Sequence, residues 1–429
     1  MNSLIRVRPS LCLAPLTRWF LVICLASLTC PARAEEASWK AGIAKAIVTP
    51  EKGVWLAGYG TKRPPDGKLH DLWIKALALE DPQGHRAVMV TSDFEGIPKE
   101  MSDRVFGQLE EKLGLERHQV MLTFSHTHSG PRLGNDLVDY YPVEDEQVAL
   151  VEAYTAQTET KLVQLIAEAL AALAPARLQT GDGRATFAVN RRNNPEAEVA
   201  GLLASDEPLK GPVDHAVPVL TVTRPDQSIV AILFGYACHP TTLNFTQWGG
   251  DYPGYAQIAL EESNPGATAM FVNTCGGDQN PLPRRQIELC ERYGHMLADA
   301  VEQAIKQGMK AVAPRLRTVF ASVDLPYEKV ITREELQTAL GDENEIRRRW
   351  AGRMIKQLDA GETFDPSYPY PLHAWSLGGE SSSSEWVGKP WSTTRCALKG
   401  SLAPAPGSAV MWTTWSPTSH PSASGPRGL

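Results

Sequence analysis

Apolar residues recur along this chain in two rhythms. Short unbroken or alternating apolar runs predict strands at 42–48, 72–80, 87–91, 119–124, 217–223, 229–236 and 268–273. Asp81-Pro-Gln-Gly84 supplies turn chemistry between the second and third of these. A longer stretch, 146–174, is rich in Ala, Leu and Glu at helical spacing, and Pro175 marks its expected end. Residues 284–307 read as a second helix. Strands and helices are interspersed, with no internal repeat. The pattern predicts a mixed α/β (α+β) protein: a layered mixed β-sheet flanked by helices, with site loops at strand ends.

The two ends of the chain break this pattern. Arg6 and Arg8 precede an apolar run that finishes near Leu28, and Pro31-Ala-Arg-Ala34 follows with small residues suited to cleavage. Residues 1–34 therefore read as a secretory signal peptide and predict export to a periplasm or the outside. Arg18 interrupts the run, which argues against a membrane-spanning anchor. At the other end, the last 44 residues contain no Asp or Glu, although the chain has 49 in all. The same segment carries Trp386, Trp391, Trp412 and Trp415 among much Ser, Thr, Pro and Gly. A disordered Ser/Pro tail rarely holds four Trp. GC-rich codons for residues 382–396 can be chosen so that a shifted frame reads VVVGVGGEAVVDDALR, which has strand-like and amphipathic character. Codons for residues 411–421 similarly allow VDDVVAYIPS. The expectation is a catalytic domain over 35–378 and an aberrant or disordered tail over 379–429 produced by a frame error.

Composition narrows the function classes. The net charge of −7 leaves no electrostatic footprint for nucleic acid. Beyond the leader the cysteines are Cys238, Cys275, Cys290 and Cys396, none in a C-x-x-C pair, so a zinc knuckle, a thioredoxin motif and a disulfide scaffold are unsupported.

Polar clusters follow three of the expected strands: Ser125-His-Thr-His-Ser-Gly-Pro131, Gly235-Tyr-Ala-Cys-His-Pro-Thr-Thr242 and Asn273-Thr-Cys-Gly-Gly-Asp-Gln-Asn-Pro281. Loops at the carboxyl ends of strands are where α/β proteins bind ligands. His126 and His128 are two apart, so an extended segment turns both imidazoles to one side. With His239 they suit a zinc ion (Zn2+), which favours three protein ligands and a water in catalytic sites. Separate loop histidines satisfied by carbonyls are the plainer explanation. A carboxylate ligand is needed as well, and spacing alone singles none out. Asp251 and Asp278 lie in Gly-rich loops and read either as site residues or as turn formers. Asn190-Arg-Arg192 offers a guanidinium fork or a solvated basic turn. Cys238 and Cys275 read as packing rather than nucleophiles.

Taken in order, these strings resemble the N-terminal catalytic domain of the neutral/alkaline non-lysosomal ceramidase family over about residues 38–378. Ala41-Gly-Ile-Ala44, Thr49-Pro50, Thr91-Ser-Asp93, Ser125–Pro131, Asn190-Arg-Arg192, Cys238-His-Pro-Thr241, Gly250-Asp-Tyr-Pro-Gly254 and Gly277-Asp-Gln-Asn-Pro281 carry it. The resemblance implies zinc-dependent hydrolysis of the N-acyl bond of ceramide or a related lipid amide. It also implies peripheral contact with the membrane that holds such a lipid. It implies that His126 and His239 bind zinc, that His128 contacts substrate, and that Arg191 lines the substrate pocket. Asp278 and Asn280 fall in the family's active-site loop, where Asn280 replaces a serine. The family's remaining zinc ligands, a Glu and a Tyr, fall beyond residue 380, where Glu380 is too early to match and no Tyr follows. Two other readings compete. One is a secreted, non-catalytic member that binds lipid or glycan; the other is a metal phosphoesterase, which would need a carboxylate-bridged pair of metals.

Overall fold

The computed structural model describes residues 38–142 and 144–378, together with the backbone of Glu385–Val387 and Ala409–Thr414. The expected leader at 1–34 and most of the stretch 379–429, Glu380, Trp391, Cys396 and Trp415 included, lie outside the described residues.

The first stretch runs β1 (Trp39–Ile47), β2 (Gly67–Lys68), β3 (Trp73–Glu80), β4 (Arg86–Ser92), α1 (Lys99–Leu113), β5 (Val120–Leu122), α2 (Asp145–Ala171) and β6 (Ala174–Arg184). The second runs β7 (Ala188–Asn190), α3 (Glu196–Ala204), β8 (Ala216–Thr223), β9 (Ile229–Tyr236), β10 (Gln247–Trp248), α4 (Asp251–Ser263), β11 (Thr268–Asn273), β12 (Gln279–Pro281), α5 (Ile287–Lys306) and β13 (Lys310–Val312). The last holds β14 (Leu316–Pro326), α6 (Arg333–Ala339), α7 (Glu345–Asp359), β15 (Ser367–Leu377), β16 (Glu385–Val387) and β17 (Ala409–Thr414).

The central sheet has the order β11-β9-β8-β6-β1-β3-β4-β5, with β13 added beside β6. Neighbours are antiparallel except at the two ends, where β4 pairs with β5 and β9 with β11 in parallel. The sheet doubles over, and the period of two in its strands shows how. Leu77, Met89, Leu233 and Met270 point inward and share one core. Their neighbours point outward. Ile74, Ala76, Val88 and Val90 meet Met101, Val105 and Leu109 of α1 and Leu162 and Ile166 of α2. Ile232, Phe234, Ala269 and Phe271 meet Leu260 of α4 and Leu297 and Val301 of α5. The result is a helix–sheet–sheet–helix stack. Strands buried on both faces need apolar residues at nearly every position, which is why their runs are unbroken in the sequence. Buried Lys75 of β3 ties the halves together: its ammonium donates to the Ala269 carbonyl at 2.7 Å and pairs with Glu261 at 2.9 Å.

The mixed, helix-flanked sheet agrees with the sequence expectation. Boundaries agree closely for β3, β4, β8, β9 and β11. Differences are local. The first helix ends at Ala171, and Pro175, expected only as its stop, opens β6 opposite Lys40. The second helix starts at Ile287 rather than at 284.

Beyond the central sheet, β14 and β15 pair along their whole length, with α6 and α7 inserted between them. Leu316, Trp375 and Leu377 plug the open end of the inner core. Helix α6 begins with a capping box between Thr332 and Glu335. From α7, Arg353 grips the Asp139 carboxylate and Arg349 donates to the carbonyls of Asp139 and Tyr140. These contacts fix the 135–141 loop against the body. The backbone of β17 continues this sheet antiparallel to β15, and β16 runs parallel to β17.

Candidate metal centre

The parallel pairs at the two ends of the folded sheet deliver four loops: 93–97 after β4, 123–131 after β5, 237–243 after β9 and 274–278 after β11. The β4–β5 pairing continues past the strands, with Ser125 N–H on the Ser92 carbonyl at 2.8 Å and His126 N–H on the Phe94 carbonyl at 2.9 Å. The β9 loop is tied to β12 by His239 N–H on the Gln279 carbonyl at 3.0 Å. His128 N–H reaches the Pro240 carbonyl at 3.4 Å and connects the two halves.

Three imidazoles meet there. The His126 ring centroid lies 5.1 Å from those of both His128 and His239, and the latter two are 6.3 Å apart. His126 sits at φ +65°, a left-handed conformation uncommon for residues other than glycine and frequent at functional sites. Its Nδ1 lies 2.5 Å from the Glu95 carbonyl, and His239 Nδ1 lies 2.6 Å from the Gly276 carbonyl. A carbonyl only accepts, so both Nδ1 atoms carry the proton and both Nε2 atoms carry the lone pair. That tautomer is the usual arrangement behind a metal-binding imidazole.

His126 Nε2 and His128 Nε2 are 3.5 Å apart. Two nitrogens on a tetrahedral zinc, each bonded at about 2.0–2.1 Å, would be roughly 3.4 Å from one another. Glu95 is buried, with its carboxylate 3.6 Å from His126 Nδ1. Ligand atoms of Glu95, His126 and His128 all lie within 4.8 Å of each other. The donor set therefore fits a single cation such as zinc.

The surroundings hold these rings in place. Gly58, at φ +100°, passes so close to His128 that a Cβ there would stand 2.3 Å from the ring's Cγ. Its N–H donates to the Tyr141 hydroxyl at 2.5 Å. Burial, reinforced by the Glu95 charge, holds the Tyr141 phenol well above its usual range. Buried Arg63 donates to the carbonyls of Ala57, His128 and Phe245, clasping three segments at once. A Cβ on Gly276 would lie 2.5 Å from the Cys238 nitrogen, so only glycine lets its carbonyl approach His239.

Arg191, Asp278 and Asn280 form a second group beside the histidines. Strand β7 pairs with β12, placing Asn190 opposite Gln279 and Val189 opposite Asn280. Arg191 N–H donates to the Asp278 carbonyl at 2.8 Å and its guanidinium to the Gly277 carbonyl at 3.0 Å. Among the described residues, the buried Nε of Arg191 and Oδ1 of Asn280 have no hydrogen-bond partner. Burial, then repulsion from Arg192 and Arg284, brings the Arg191 pKa down to about 10, which leaves it charged at neutral pH.

Other residues singled out by sequence have plainer places. Asp251 is fully buried at the start of α4 and accepts the N–H groups of Thr242, Leu243 and Tyr252, so it anchors the loop behind His239. Cys238 and Cys275 are buried, and desolvation pushes the Cys238 thiol well up, which disfavours a nucleophilic thiolate. Glu95 is the residue that sequence reasoning missed. It is distant in sequence from the H-x-H pair, and only the parallel pairing of β4 with β5 brings it there.

Comparison with known proteins agrees with this architecture. The family model described as neutral/alkaline non-lysosomal ceramidase, N-terminal, matches residues 39–316. Neutral ceramidase of Pseudomonas aeruginosa is 26% identical over 284 residues, which are 62% of this chain and 40% of the relative. Neutral ceramidase A of Dictyostelium discoideum is 28% identical over 255 residues, 53% of this chain and 34% of the relative. The crystal structure of the Pseudomonas aeruginosa enzyme superposes with a TM-score of 0.63 at 20% identity, covering 86% of this chain and 66% of that one. A structure described as ceramidase complexed with C2 gives 0.59 at 19% identity, covering 80% and 62%. The matched segments thus span well under half the length of the two curated relatives. With the family model matching most of its length, the chain belongs to the neutral/alkaline non-lysosomal ceramidase family.

Proposed function

We propose that this protein is an exported, zinc-dependent hydrolase that cleaves the N-acyl amide bond of ceramide or a related lipid amide. Its family and the neutral ceramidases among its relatives support the reaction class. The observation that carries the reading is the convergence of His126, His128 and His239, two of them with tautomers fixed by backbone carbonyls. Zinc bound there would supply Lewis acidity to the amide carbonyl and lower the pKa of its water toward neutrality.

The chain's own groups bind and orient. Following the resemblance, His126 and His239 are assigned to the ion and His128 to the substrate. Arg191 brings a buried positive charge whose Nε has no partner among the described residues, suited to an oxygen that gains negative charge during hydrolysis. The Asp278 carbonyl positions Arg191 from behind. Asn280 offers a buried oxygen that accepts an N–H or O–H of the substrate. A lipid amide would be met at a membrane surface, and the arrangement of residues 1–34 supports export toward one.

The test is fatty-acid release from N-acyl sphingosines by the purified full chain. The reading expects release that a chelator stops and added Zn2+ restores. Zinc-loaded protein that binds the lipid without cleaving it would place the chain among non-catalytic binders instead.

A further inference from the structure

We propose that the polar end of the substrate carries an anionic group of the phosphate or sulfate type, and that arginines centred on Arg285 receive it at the mouth of the site. This rests on the reading that the protein cleaves a lipid amide, and it names the headgroup that the reading leaves open.

The chain as a whole is acidic, with a net charge of −7. The surroundings of His128 are the reverse. The Tyr59 ring packs edge-on to the His128 ring, with centroids 4.7 Å apart. Two guanidiniums flank that phenol: Cζ of Arg63 lies 4.7 Å and Cζ of Arg285 5.4 Å from the ring centroid. Arg285 Nη1 also donates to the Tyr59 hydroxyl at 2.9 Å. Among the described residues neither guanidinium meets a carboxylate: Arg63 donates to three carbonyls and Arg285 to this phenol. Arg284 lies near enough to both Arg191 and Tyr59 for its charge to act on each, and exposed Arg192 acts on Arg191 as well.

The neighbouring carboxylates are already engaged. Glu196 grips Arg284, at 2.7 Å to Nε and 2.5 Å to Nη2. Asp251 is buried and turned to three backbone N–H groups. Asp278 offsets Arg191. Arg63 and Arg285 keep their charges beside Tyr59.

The backbone also holds Arg285 where it is. It follows the Asn280-Pro281 loop directly, at φ +82°, a left-handed conformation that costs energy in a residue other than glycine and is frequent at functional sites. Its N–H donates to the Thr242 carbonyl at 2.7 Å, which ties it to the loop that carries His239. The side chain is half-buried, so its remaining donors are open to a ligand. An anion with several oxygens accepts charge-assisted bonds from such a fork. An uncharged headgroup would cover these charges without matching them. A cleft of one sign also concentrates ligands of the other.

The experiment gives the full chain three short-chain probes with a fluorescent acyl group: an N-acyl sphingosine, its 1-phosphate ester and its 1-sulfate ester. Binding is read by fluorescence anisotropy and cleavage by release of the labelled fatty acid, with circular dichroism as a folding control. The proposal expects at least one ester to bind about tenfold or more tighter than the uncharged amide, a preference that shrinks as salt is raised. The two esters separate a phosphate from a sulfate-type headgroup. Arg285→Gln should lower affinity for the preferred ester by more than for the uncharged amide, and Arg285→Lys should restore part of it. Glu196→Gln removes a negative charge and should strengthen the preference, a gain that a merely damaged fold would not give. Equal binding of the three probes, binding of none, or an intact preference in folded Arg285→Gln would overturn the proposal. A chain that prefers an ester yet cleaves none of the three would instead overturn the hydrolase reading beneath it.

Discussion

The two halves of the folded sheet contribute unlike chemistry to the same place. The half ending in β4 and β5 supplies Glu95, His126 and His128, donor atoms packed within metal-binding distance. The half ending in β9 and β11, with the β7–β12 pair, supplies His239, Arg191 and Asn280. There, two buried polar atoms, Arg191 Nε and Asn280 Oδ1, lack partners among the described residues. Buried polar groups are nearly always satisfied, so groups left open in a site are aimed at something that arrives. In the proposed reading each half brings one imidazole to the ion, His126 from the first and His239 from the second, while His128, Arg191 and Asn280 meet the substrate. A doubled sheet with parallel pairs at both ends is what lets two such sets of loops face each other.

Several substitutions would break or sharpen this division. His126 has the largest expected effect, since its ring is closest to both other imidazoles. His126→Ala should abolish stoichiometric zinc and lower hydrolysis more than about 1,000-fold, measured by metal analysis and product release. On the substrate side, Arg191→Ala should leave the metal content unchanged and lower kcat/KM by about 100-fold, the scale of one lost oxyanion contact. Metal lost in this variant would erase the distinction between the groups assigned to the ion and those assigned to the substrate.

A smaller effect is expected behind the donors. Gly58→Ala places a Cβ against the His128 ring at a φ that L-residues avoid. KM should rise about tenfold while the zinc content is preserved, as kinetics and metal analysis would show.

A separate effect, on stability rather than on the site, concerns the scaffold that both halves share. His70 accepts the Gly250 N–H through Nε2, and burial brings its pKa down to about 4. His373 is likewise brought to about 4 by burial, with Arg117 and His118 adding to it. The unfolded chain protonates these histidines near pH 6.5, before the folded one does. The stability they contribute is therefore complete above pH 6.5 and is lost as pH falls toward 4. At pH 5 the deficit is roughly 2 kcal/mol for each. Urea melts at pH 7.5 and pH 5 measure it, and His70→Gln should shrink the difference.

Much of this was legible in sequence where the cause is local. Strands β9 and β11 are buried on both faces, so their unbroken apolar runs gave them away. The H-x-H pair was visible by spacing, but the extended backbone expected for it is broken by the left-handed His126 at φ +65°. Strand β6 was hidden because the Ala-Leu-Ala-Pro continuation of α2 keeps a helical composition up to the turn. Strands β14 and β15 have mostly exposed or half-exposed residues, which leaves little apolar signal. Glu95 was silent for another reason. Its approach to His126 depends on which strand pairs with β4, and nothing within its own loop records that. The Arg191–Asp278 contact depends in the same way on β7 meeting β12.

The most direct measurement is the metal content of the purified full chain, taken beside its hydrolysis of an N-acyl sphingosine. This account predicts one zinc per chain, with activity lost and regained as that zinc is removed and returned. Hydrolysis undiminished in a chain stripped of metal would contradict it.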